Sequence, residues 1–139
     1  MEKIEYKIEN LQKMAKLLGK ALNKLNFHSD PDDIAFVRDS VAARFKILIE
    51  STWKVVKLHL EDKGISDIPA SPNDVIRRSE EAAFLNKEEA LRFKSFIKLR
   101  NLASHIYDEP QYLLVINAAP DAFSLVTKII KRIEQERNE

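Results

Sequence analysis

"PDDIAFVRDSVAARFKILIESTWKVVKLHLEDKG", Pro31 to Gly64, decides the fold. Ile34, Val37, Val41, Phe45, Leu48, Thr52, Val55 and His59 fall on one line at helical spacing. Asp30 stands ready as the N-cap with Pro31 at the first helical position, and Gly64 reads as the glycine just past the C-terminus. At ~1.5 Å per residue the segment is a rod of roughly 50 Å. Rods of that length bury themselves beside similar rods, so the segment predicts a helical bundle.

The flanking sequence extends the pattern. Leu11, Met14, Ala15, Leu18, Leu22 and Leu25 make the apolar stripe of a first helix over 3–25. Lys13, Lys16, Lys20 and Lys24 form a second stripe, which reads as a solvated face. After the loop "ISDIPASPND", Ser71, Pro72 and Asp74 start a short helix reaching about Phe84. Asn86 and Glu89 offer a capping box for a helix over 87–104. Asp108 caps a last helical region, in which Pro120 predicts a kink or restart near Ala118. Beyond Asp121, Phe123, Val126, Ile129, Ile130 and Ile133 recur cleanly. The expected architecture is all-α: one domain over 1–139, an up-and-down four-helix bundle with one extra short helix.

Composition narrows the function classes. The 139 residues suffice for one domain, and 45% are hydrophobic, enough for a real core. Lys+Arg 23 nearly cancel Asp+Glu 22, so no global field draws the chain onto nucleic acid or an anionic membrane. The absence of cysteine removes disulfides, zinc-thiolate sites and thiol nucleophiles, and it fits a reducing cytoplasm. No apolar run approaches a membrane span, and "MEKIEYKIEN" lacks a signal-peptide core, so no membrane is expected. His28, His59 and His105 show no metal spacing, and no glycine-rich phosphate loop exists. No metal and no cofactor are therefore predicted. His59 and Trp53 read as packed core or interface residues, and His28 as an inert loop residue.

Chemistry concentrates in "LRNLASHIYDEP", Leu99 to Pro110. Asn101 and His105 share a helix face, as do Arg100 and Ser104. Arg100 and His105 are about 140° apart around an ideal helix. They converge only if the helix loosens near His105, or if two copies meet across a symmetric interface. Tyr107 lies past the expected helix end. A histidine titrates near neutral pH and moves protons, and an arginine fork holds phosphate. RNA supplies its own 2′-hydroxyl nucleophile, so such a pair needs no metal to cleave it. The plainer alternative is a helix-end His105 capping a carbonyl and an Arg100 paired with Asp108 or Glu109.

"RNLASHIYDE" resembles the motif of HEPN proteins, an Arg, four residues and a His, and more closely the HepT-like branch, where Tyr follows two after the His. "RDSVAARFK", "ESTWKVVKLHLEDKGI" and "SPNDVIRRS" precede it in the order seen in nucleotidyltransferase substrate-binding proteins. The resemblance covers about Asp39 to Glu109. Lys46 departs from it where an acid is expected, and "EEAAFL" lacks an expected glycine. The resemblance implies a homodimer with Arg100 and His105 lining the interface cleft, and a small nucleotidyltransferase partner encoded nearby. For the HepT-like branch it implies a metal-independent ribonuclease toxin, silenced when the partner attaches AMP to Tyr107. Arg100 would then bind phosphate, His105 act as general acid or base, and Asn101 and Ser104 orient them. Arg77, within the "SPNDVIR" block, could add a contact to RNA or partner. Two other readings stand beside this one: a non-catalytic substrate-binding subunit of a nucleotidyltransferase complex, and a plain helical interaction module.

Overall fold

The computed structural model describes residues 2–27, 30–102 and 109–138. The described residues form five helices: α1 (Glu2–Phe27), α2 (Pro31–Asp62), α3 (Pro72–Glu81), α4 (Lys87–Leu102) and α5 (Glu109–Arg137). The protein is all-α, as its apolar periodicity predicts. α1, α2 and α5 pack on one another, and the α3–α4 unit lies against α2, with α4 also against α5.

The caps follow the sequence closely at α2. Asp32 N–H donates to Asp30 Oδ1 at 2.9 Å, closing the N-terminus. At the other end Gly64 takes φ 83°, and the Ile65 and Gly64 N–H groups donate back to Leu60 and Glu61 carbonyls. This Schellman arrangement satisfies the last carbonyls. At α3 the local chemistry differs from expectation. Ser71 Oγ donates to Asp74 Oδ2 at 2.7 Å instead of accepting from a backbone N–H. α3 also stops at Glu81, short of Phe84, because Ala83 turns to φ 61°.

The core joins Leu11 and Leu18 of α1 to Phe45, Leu48 and Leu60 of α2, Phe93 of α4, and Leu125, Ile129 and Ile133 of α5, all fully buried. Each such side chain stabilises by about 1.5–3 kcal/mol relative to exposure. Phe45 meets Phe96 edge-on, centroids 6.2 Å apart, and so locks α4 against α2. α1 and α5 approach closely where Gly19 faces Phe123: a Cβ at Gly19 would sit 2.9 Å from the ring.

The structure bears on two expectations about α5. The helix runs unbroken through Pro120, with no restart near Ala118. Pro120 is solvent-exposed, while Val115, Ile116, Ala119, Ala122 and Leu125 on the inner face are buried. That packing outweighs the ~3 kcal/mol that an interior proline costs. By length and composition, Pro110–Arg137 is also apolar enough to cross a membrane, contrary to the reading from continuous apolar runs. Its apolarity is spread along the helix rather than gathered in one run, and 44% of the relevant window is buried inside the fold.

Candidate functional site

Arg100 sits in the last described turn of α4, with Leu99 beside it packed against the core. Its Nε is buried 3.6 Å from Glu50 Oε2 on α2, while its side chain stays 39% exposed. An arginine wholly buried within one subunit would mark a plain structural module, and this one presents part of its fork to the surface. Arg100 Nη1 donates a long 3.4 Å bond to Asn101 Oδ1. Of the predicted site residues, Arg100 and Asn101 are thus together. Ser104, His105 and Tyr107 lie outside the described residues, as does His28.

Glu50 is the residue that motif reasoning missed. It accepts from Trp53 Nε1 at 3.1 Å and pairs with Lys54 Nζ at 3.3 Å, besides facing Arg100. Burial pushes its carboxyl upward, but the bonds from Trp53 and Lys54 and the Arg100 charge prevail and hold it below the usual carboxylate range. The i, i+3, i+4 spacing of Glu50, Trp53 and Lys54 is visible in "ESTWK" and marks one face of α2. Nothing local says that Arg100 joins them. Among the described residues Glu50 is the carboxylate found beside Arg100; Asp108 and the Glu109 side chain lie outside them.

The far flank of the 103–108 segment is also tied to α2, through Tyr112 Oη donating to Asp39 Oδ1 at 2.8 Å. Arg77 lies exposed on α3 and pairs with Asp74 Oδ1 at 3.1 Å. Trp53 is largely buried, as expected of an anchor. His59 is 1% exposed, its Nε2 2.8 Å from Glu136 Oε1 and its ring against Phe84. Among the described residues no cluster of metal-ligating side chains occurs.

A family model described as "Nucleotidyltransferase substrate binding protein like" matches residues 6–135. The chain belongs to that family. Among curated proteins none matches. Among solved structures, a protein from Thermus thermophilus is 28% identical, with a TM-score of 0.70 over 94% of this chain and 98% of its own. The tri-AMPylated HEPN toxin of Shewanella oneidensis, in complex with its MNT antitoxin, is 19% identical, with a TM-score of 0.75 over 95% and 96%. A toxin–antitoxin structure with AMP-PNP is 18% identical, with a TM-score of 0.74 over 94% and 96%. This member of the nucleotidyltransferase substrate-binding family therefore shares its fold, over nearly its whole length, with that HEPN toxin and with that toxin–antitoxin structure.

Proposed function

We propose that this four-helix-bundle protein is a HepT-like partner of a minimal nucleotidyltransferase, acting as a metal-independent ribonuclease toxin in the cytoplasm. The observation that carries the reading is Arg100: a partly exposed arginine side chain, steadied by Glu50, five residues ahead of His105. In a homodimer, two such motifs face one cleft. There Arg100 holds the scissile phosphate and stabilises its growing charge, and His105 moves the proton of the RNA 2′-hydroxyl. Asn101, already bonded to Arg100, and Ser104 orient the pair. The partner nucleotidyltransferase transfers AMP from ATP to the Tyr107 oxygen and releases pyrophosphate. The added charge and bulk beside the cleft repel an RNA backbone. Arg77, exposed on α3, is available to partner or RNA.

Purified protein is expected to cleave RNA in the presence of EDTA, and His105→Ala and Arg100→Ala to abolish cleavage while the fold survives. Incubation with the partner and ATP is expected to add one adenylyl mass or more at Tyr107. RNA left intact by a verified dimer defeats the ribonuclease reading. That outcome leaves the non-catalytic substrate-binding subunit, a reading favoured by one observation: Glu50 already occupies one side of Arg100.

A further inference from the structure

Away from Arg100, α1 and α2 enclose a groove of about 400 Å³. Its rims carry Lys3 and Lys7 from α1, and Lys54 and Lys57 from α2. Its apolar side includes Met14 and Trp53, the only tryptophan in the chain. Lys57 bonds Glu61 at 2.9 Å and Lys54 pairs with Glu50. Lys3 and Lys7 have no carboxylate within ion-pair distance among the described residues. Four lysines around one cleft are notable in a chain whose net charge is only +1.

The lysines fall in two pairs. Lys3 and Lys7 are one turn apart on one wall, and Lys54 and Lys57 on the other. Lys54 leads directly to Glu50, and Glu50 to Arg100. A single small anion would use one or two of these charges. A polyanionic chain uses them in series, with its bases against the apolar side.

We infer that this groove is a track for single-stranded RNA, guiding the strand to or from Arg100. The inference rests on RNA being the substrate of the Arg100 site, but it is tested by binding rather than by cleavage. The probe is a short single-stranded 2′-O-methyl RNA, which lacks the 2′-hydroxyl nucleophile and so survives the titration. Trp53 reports from inside the groove.

Saturable change in Trp53 emission is expected with the wild-type chain and with Arg100→Ala. Lys7→Glu combined with Lys57→Glu should weaken binding by about tenfold or more. It should also flatten the salt dependence by about 1.4, at ~0.7 per lost phosphate contact. Lys7→Gln with Lys57→Gln, matched to wild type by thermal melting, should give an effect in the same direction. Unchanged affinity in folded double variants, or Trp53 emission that RNA leaves unmoved, overturns the track. AMP saturating the same signal as tightly as the oligomer also overturns it, in favour of a mononucleotide site. Cleavage of unmodified RNA is scored separately. Groove binding without cleavage sinks only the ribonuclease reading, and cleavage with unaltered double variants sinks only the track.

Discussion

Glu50 shows how one side chain sets the character of this site. Its carboxylate fixes the indole of Trp53, pairs with Lys54 and lies against the buried Nε of Arg100. The Lys54 and Arg100 contacts draw on positive charge that a phosphate would otherwise meet. Glu50→Gln keeps an acceptor for Trp53 and removes the negative charge. Because both the Glu50 and Arg100 side chains are about one-third exposed, the stability change should stay within ~1 kcal/mol. RNA affinity should rise severalfold, read by titration with an uncleavable oligonucleotide. Weaker binding would show instead that Glu50 is needed to hold Arg100 in place. The motif arginine was legible from its spacing to His105, whereas its partner was not. Glu50 stands fifty residues away and meets Arg100 only because Phe45 and Phe96 clamp α4 onto α2.

Among the helices, the start of α4 is where local sequence and tertiary structure meet. The capping box reads directly from "NKEE": Asn86 N–H donates to Glu89 Oε1 at 3.0 Å, and Glu89 N–H to Asn86 Oδ1 at 2.8 Å. The sequence carries no sign that Glu89 is 3% exposed and held by both Nη groups of Arg132 from α5. The Arg132 bonds outweigh burial and keep the Glu89 carboxyl below its usual range. Asn86→Ala removes one cap bond and should cost about 1 kcal/mol. Glu89→Ala removes the other cap bond and leaves the Arg132 fork without its carboxylate, so it should cost about 2–4 kcal/mol. Denaturant unfolding of both variants checks this, and equal losses would reduce Glu89 to a cap alone. Pro120 teaches the complementary lesson. Its local penalty is legible in the sequence, but the buried face that overrides it belongs to the assembled core.

For the molecule as a whole, acid sensitivity should begin well above the carboxylate range, because of His59. Burial dominates there and lowers its pKa from the ordinary 6.5, against the pull of Glu136, while Lys63 and Arg137 add to the lowering. The geometry agrees. Nε2 donates to Glu136, which leaves Nδ1 buried without a partner, and a proton on Nδ1 would find no acceptor. Below pH 6.5 the unfolded chain therefore binds a proton that the folded chain refuses, so stability falls as pH drops through that range. Glu136, Glu50 and Glu89 act later. Their folded pKa values lie below 4.5, so the stability they contribute is full above that value and is lost as pH falls through those lowered pKa values. Melting temperatures measured between about pH 5 and 8 should fall toward the acid end. His59→Gln retains a donor for Glu136 and removes the titration. It should flatten that slope while leaving the steeper loss at lower pH in place. A flat wild-type profile over the same range, or an unchanged slope in the variant, would remove His59 as the source.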